Sequence, residues 1–328
     1  QNKFLKSFFV LLWWFCRMRN IFKVYNMKPF KPPIWLSSPL VQTSLASFKY
    51  RKRGNNKMLE AAETIILTCE DNVRLKASYS KSSQNKSLVI FLHGWEGSQD
   101  SSYVVSCGNY LFNQGSSIFR LNYRDHGETQ NLNSGIFLST NFNEVFDAVK
   151  QAAAFSGEVP VYIVGFSLGG NFSLRIARSL RDLSIKKLKH IFAISPVVDP
   201  WSAAPLVDGN YFYKRYFLKK WKNSLRKKQK FFPNLYNFND ILSDNSVMSI
   251  TEKIMAEYTE FPSLKSYFDA YRVDAHDLKT CPIPISIITS MDDGIIPYGD
   301  IEKLELNINA NRIITEKGGH NGFFQSLT

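Results

Sequence analysis

The chain has 328 residues and a formal charge of +13; its apolar content of 44% and aromatic content of 14% suffice for a buried core and exclude a disordered chain. The basic surplus sits in the first sixty residues and around 214–230, while the rest is nearly balanced. No zinc-finger spacing, RNA-recognition signature or basic reading helix accompanies it, so no nucleic-acid partner is expected.

At the start, Phe8 to Cys16 is continuously apolar or aromatic, with Lys6 before it and Arg17 and Arg19 after it. The run is short of the ~20 residues a spanning helix needs, and no small-residue cleavage site follows. Aromatic residues between basic ones suit a membrane interface, so residues 1–27 read as an anchor or as an upstream extension preceding Met18 or Met27. Residues 28–63 contain Pro29, Pro32, Pro33 and Pro39 and are expected to form an extended leader without helix. Cys16, Cys69, Cys107 and Cys281 lack Cys-x-x-Cys spacing. A disulfide framework or structural zinc site is therefore not expected, and a reducing, cytoplasmic location is, with membrane association through the first residues as a variant.

From residue 64 a rhythm sets in. Thr64 to Thr68 reads as a strand, Asp71-Asn72 as a turn and Leu75 to Tyr79 as the hairpin partner. Leu88 to Leu92 is a short apolar run typical of a strand buried on both faces of a parallel sheet. The form returns at Ile118 to Asn122, Val159 to Val164, Ile191 to Ile194, Ile283 to Ile288 and Arg312 to Thr315, with helical patterns around 103–113, 143–155, 169–181 and 299–305. The alternation predicts an α/β fold: a mostly parallel, doubly wound sheet with helices on both faces, spanning 64–328. More than eighty residues separate Pro196 from Pro282, so about 197–280 is expected to form a helical cap insertion.

Gly165-Phe166-Ser167-Leu168-Gly169-Gly170 follows the apolar run Val161 to Val164 and precedes a helical pattern. A Gly-x-Ser-x-Gly segment between strand and helix places serine on a strained turn, where backbone N–H groups and the helix dipole can stabilise an oxyanion. A Rossmann or Walker reading fails for want of Gly-x-Gly-x-x-Gly or the loop lysine. His93-Gly94-Trp95-Glu96-Gly97, after the Leu88 to Leu92 strand, supplies a second turn, and the N–H groups of Trp95 and Leu168 are the expected oxyanion donors.

Of five histidines, only His320 lies late, in Gly318-Gly319-His320-Asn321-Gly322, where glycines permit a loop that aims an imidazole at the serine. His93 reads as a structural hydrogen-bonder and His126 as a turn stabiliser, while His190 and His276 carry no signal. The acid is expected after the penultimate strand, where Asp292 and Asp293 are adjacent; Asp293 is preferred, ahead of Asp292 and Asp199.

With these residues in view, the chain resembles the α/β-hydrolase superfamily, in particular its YheT-like branch, from about Pro32 to Phe323. The resemblance rests on the elbow at Ser167, on Gln42-Thr43, His93-Gly94, Glu96-Gly97-Ser98, Asn122-Tyr123-Arg124 and Asp292-Asp293, and on Gly318 to Phe323. It implies a triad of Ser167, Asp293 and His320. Two departures stand out: Leu40 replaces a usual histidine, and only eight residues follow His320 where the fold ordinarily continues into a helix.

The expected reaction is cofactor-free, metal-free cleavage of a small-molecule carboxylic ester through an acyl-enzyme. Thioesterase, amidase or acyltransferase chemistry would use the same residues, and a non-catalytic binding scaffold is the contrasting class. Within the insertion, Tyr211, Tyr213, Tyr216, Phe217, Trp221 and Leu225 interleave with Lys214, Arg215, Lys219, Lys220, Lys222 and Arg226. On a helix these would give an aromatic and a basic face, either as a solvated lid over the core or as a contact for an anionic membrane surface and a lipid-like ester.

Overall fold

A computed structural model describes residues 30–48 and 55–326. The run at Phe8 to Cys16 lies outside the described residues. The leader is not the extended segment expected: a 3-10 turn at Ile34–Leu36 is followed by helix α1 (Pro39–Ser47) and the single turn α2 (Lys57–Glu60). Pro39 does not oppose this, because it occupies the first helical turn, where its missing N–H would have no intrahelical partner.

Strands β1 (Ala62–Thr68) and β2 (Arg74–Ser80) form the expected hairpin, turning through Asp71 and Asn72 at φ of 55° and 58°. Then come β3 (Leu88–Leu92), α3 (Ser102–Asn113), β4 (Ser117–Leu121), α4 (Phe142–Ala154), β5 (Val161–Phe166), α5 (Leu168–Ser179) and β6 (Leu188–Ile194). Five helices fill the interval before the next strand: α6 (Pro200–Gly209), α7 (Tyr211–Phe231), α8 (Asn239–Ser243), α9 (Val247–Tyr258) and α10 (Leu264–Tyr271). The chain returns through β7 (Ile285–Ser290), α11 (Tyr298–Glu302) and β8 (Ala310–Thr315).

The eight strands make one sheet in the order β1-β2-β4-β3-β5-β6-β7-β8. β1 and β2 pair antiparallel with each other and β2 pairs antiparallel with β4; from β4 to β8 every pairing is parallel. This is the α/β architecture the alternation predicts. Successive residues of β3 face opposite sides: Leu88, Ile90 and Leu92 enter the larger core, and Val89 and Phe91 the smaller one with Val104, Val105, Cys107 and Leu111 of α3. Both faces of the central strands are thus covered, as their unbroken apolar runs require. The parallel strands bring their carboxyl ends to one edge, where ligand sites of open α/β sheets form.

Candidate active site

Ser167 follows β5 and caps α5, with φ 54° and ψ −115°. A left-handed φ at a residue with a side chain is uncommon and strained. It is held by the Ser167 N–H donating to the Ile194 carbonyl at 2.8 Å and by the Ser167 carbonyl accepting from Asn171 N at 3.0 Å. A Cβ at Gly165 would collide with the Gly169 carbonyl, and one at Gly169 with the Leu92 carbonyl, so the packing of α5 on β3 and β5 requires both glycines.

His320 lies on the loop after β8, with Nδ1 2.9 Å from Oδ2 of Asp293. Both side chains are buried. The other Asp293 oxygen accepts from the N–H groups of Ile295 at 2.9 Å and Ile296 at 3.0 Å, so three donors fix the carboxylate. Asp292 turns away and accepts from Gly319 N at 2.9 Å, supporting the loop. Asp199 caps α6 through Trp201 N. Ser167 and His320 share one cavity wall; among the described residues no hydrogen bond joins the Ser167 hydroxyl to the imidazole. Such bonds often tighten only when substrate binds.

The turn after β3 is built by two neutral imidazoles and a phenol. His93 Nδ1 donates to the Gly94 carbonyl at 2.8 Å, and burial holds its pKa well below the ordinary 6.5. His126 Nε2 accepts the Glu96 N–H at 3.2 Å, its Nδ1 donates to the Arg124 carbonyl at 2.7 Å, and burial lowers its pKa to about 4. Tyr103, which carries no sequence signal, accepts the Gly94 N–H at 3.0 Å, and burial raises its pKa to about 12. The Gly97 N–H donates to the Gly94 carbonyl at 2.9 Å. Among the described residues no turn, loop or cap bond uses the N–H of Trp95 or of Leu168.

Two spaces meet at Ser167. The outer cavity is open, about 910 Å³, and lined by Thr43, Glu96, Tyr103, His126, Tyr216 and Lys220 among others. The inner chamber, about 130 Å³, is lined mainly by apolar groups, including Phe137, Ala204, Val207, Trp221, Met255 and Phe268. Trp95, Ser167, Phe217 and Ile295 border both. Trp95 stacks on Phe217 with ring centroids 5.2 Å apart and meets Trp221 edge-on at 5.0 Å, which fixes α7 over the serine. Lys220 donates to the Glu96 carbonyl at 2.8 Å. The Glu96 carboxyl itself is pushed up to about 8 by desolvation, against the opposing pull of Lys220.

The family profile described as alpha/beta hydrolase fold matches residues 87–327. The chain belongs to that family. Among solved structures, the Pyrococcus furiosus esterase Pf2001 is similar with a TM-score of 0.51 and 17% identity, covering 82% of this chain and 88% of that one. The 2,6-dihydroxy-pseudo-oxynicotine hydrolase is similar with a TM-score of 0.53 and 15% identity, covering 87% and 73%. At such identities the likeness concerns the fold. Lysophosphatidylserine lipase ABHD12 of Mus musculus is 30% identical over 96 residues, 29% of this chain and 23% of that protein. The match thus spans less than a quarter of the relative's length.

α7 carries the expected basic face at Arg215, Lys219 and Arg226, but the separation from the aromatic residues is incomplete. Tyr213, Leu218, Leu225 and also Lys228 are buried, whereas Tyr211, Phe212 and Tyr216 are exposed beside Arg215 and Lys219. Lys228 Nζ lies 2.8 Å from Oδ1 of Asp125 and donates to the Asn133 and Gly135 carbonyls at 2.7 Å each, tying α7 to the segment after β4. Among the described residues no group of three or more His, Cys, Asp or Glu side chains is arranged to hold a metal ion. Cys69, Cys107 and Cys281 are buried, and desolvation raises the Cys69 thiol to about 12.

Proposed function

We propose that this hydrolase cleaves carboxylic esters bearing an apolar acyl chain, with Ser167 as nucleophile, His320 as base and Asp293 as its orienting acid. The observation that carries this reading is the His320–Asp293 pair at 2.9 Å on the wall that also bears Ser167. In the reaction, the Ser167 hydroxyl adds to the ester carbonyl while Nε2 of His320 takes its proton. The Trp95 and Leu168 N–H groups receive the oxyanion, and collapse breaks the bond to the alcohol, which leaves with the proton from His320. Water, deprotonated by the same imidazole, then adds to the acyl-serine and releases the acid.

The substrate class follows from the two spaces at Ser167. An acyl chain fits the mainly apolar inner chamber by apolar burial, while the alcohol side faces the wider outer cavity with its mixed polar and apolar lining. The partial similarity to a lipase named for lysophosphatidylserine agrees with an amphiphilic ester. Gln42-Thr43 and Glu96-Gly97-Ser98 support a place in the YheT-like branch. The test is labelling of the full chain by a fluorophosphonate probe, followed by turnover of nitrophenyl esters of increasing acyl length. Labelling that disappears in Ser167→Ala and turnover that rises from acetyl to medium-chain esters are expected. Undiminished labelling of Ser167→Ala would overturn the assignment of the nucleophile, and a preference for acetyl over every longer ester would overturn the acyl-chamber reading.

A further inference from the structure

The outward face of α7 is unusual in charge and in place. The helix carries nine lysines and arginines and no acidic residue over 21 positions, which corresponds to about 30 Å of length. Four of the nine have partners: Lys228 with Asp125, Lys220 with the Glu96 carbonyl, Lys227 with Glu128, and Lys222 with Asn245. Arg215, Lys219, Arg226 and Lys230 are exposed, and among the described residues none of the four enters an ion pair. At 100° per residue they fall within one narrow arc of the helix, together with Phe212.

Aromatic groups border that arc where the cavity opens. Phe212 and Tyr216 are 61% and 42% exposed, yet both line the outer cavity, as does Phe48 at 60% exposure on the leader side. Large exposed rings at the mouth of a cavity, next to unpaired cations on one face, match an anionic lipid interface: rings enter the headgroup region while lysines and arginines meet lipid phosphates and carboxylates.

We propose that the outward face of α7 docks on an anionic membrane surface through Arg215, Lys219, Arg226 and Lys230, with Phe212, Tyr216 and Phe48 inserted around the cavity mouth. Docked in this way, the protein presents the opening that leads to Ser167 directly to the lipid headgroups. The contact is peripheral and electrostatic, so it weakens as salt rises. It goes beyond the catalytic reading, because binding requires no turnover.

The test is co-sedimentation of the full chain with vesicles of phosphatidylcholine alone and of phosphatidylcholine containing phosphatidylserine. Binding to the second and not to the first is expected, unchanged in Ser167→Ala. The pair Lys219→Gln and Arg226→Gln weakens it about 30-fold, and reversal of Arg215, Lys219, Arg226 and Lys230 to Glu reduces it to the level of neutral vesicles. None of these four residues lines the cavity, so an unchanged thermal transition and unchanged fluorophosphonate labelling show that the variants stay folded. Equal binding to neutral and anionic vesicles, or undiminished binding of the variants, overturns the proposal. Tighter binding of a short nucleic-acid duplex than of the anionic vesicles, lost in the same variants, overturns it in favour of a different partner.

Discussion

Thr43 of the leader helix accepts the backbone N–H of His320 at 2.9 Å, across 277 residues of chain. Beside it, the fully buried Gln42 accepts the Phe324 N–H at 2.7 Å and donates to the Phe324 and Leu36 carbonyls at 2.8 and 2.7 Å. The leader therefore clamps the histidine loop from both sides of its backbone. Gly319, at φ 54°, and Gly322 have no room for a Cβ beneath this clamp.

Loss of the clamp is expected to misplace the imidazole before it unfolds the protein. Thr43→Ala removes the hydroxyl that accepts the His320 N–H and donates to the Pro39 carbonyl, two partly buried hydrogen bonds together contributing about 1–2 kcal/mol to stability. Because a shift of His320 is felt by the attack step, fluorophosphonate labelling slows about 10-fold, and kcat falls while KM stays near its original value. Thr43→Ser restores both. Gln42→Ala strands three backbone groups and destabilises by about 2–4 kcal/mol, read from urea denaturation. Equal labelling rates in Thr43→Ala and the parent chain would rule out the positioning role.

The clamp also shows where the sequence is legible. The elbow is readable because its glycines answer a local demand, close approach of β3 and α5 around Ser167. The histidine loop is readable for the same reason. The choice between Asp292 and Asp293 depends on the path of the turn after β7, which aims one carboxylate at His320 and its neighbour at Gly319. The leader helix escapes a reading from its prolines because its stability comes from tertiary contacts at Gln42 and Ala46, the two buried positions of α1. Lys228 escapes for a similar reason: nothing near it in sequence announces an aspartate 103 residues away.

That pair makes a second prediction. Lys228 and Asp125 are 1% and 6% exposed, and burial alone would push the lysine down and the aspartate up in pKa. Lys228→Met leaves the Asp125 carboxylate without its cation and is expected to destabilise the protein by about 3–5 kcal/mol. Asp125→Asn added to Lys228→Met recovers much of the loss, since an amide oxygen can still accept the Phe137 N–H that Asp125 holds at 2.9 Å. A double-mutant cycle by urea denaturation measures the coupling, and additive losses would show that the two side chains act independently.

Stability should respond to pH with two opposite contributions from the turn after β3. His126 falls to about 4 in the folded protein from an ordinary 6.5, so the unfolded chain binds the additional proton. Its contribution is complete above pH 6.5 and is lost as pH falls toward 4, at up to about 1.4 kcal/mol per pH unit. Glu96 rises to about 8 from an ordinary 4.5, so here the folded protein holds the additional proton. Its contribution is complete below pH 4.5 and is lost as pH rises through 8. His126→Gln should flatten the acid side of the profile and Glu96→Gln the alkaline side, as read from urea midpoints between pH 4.5 and 9. Parallel profiles for all three proteins would contradict the burial argument.

The inner chamber gives the most direct handle on specificity. Ala204 is half-buried in its wall, and across the same small space stand Trp221, Met255 and Phe268. Ala204→Phe would fill most of a chamber of about 130 Å³ without substituting Ser167, His320, Asp293 or either expected oxyanion donor. Fluorophosphonate labelling should therefore persist with a small, compact probe and fall with a long-chain one. Among nitrophenyl esters, kcat/KM for medium-chain substrates should drop about 10- to 100-fold relative to acetate, because each methylene excluded from an apolar pocket forfeits about 0.8 kcal/mol of burial. If acyl-length preference is the same in Ala204→Phe and the parent chain, the acyl group does not enter the chamber that α6, α9 and α10 enclose.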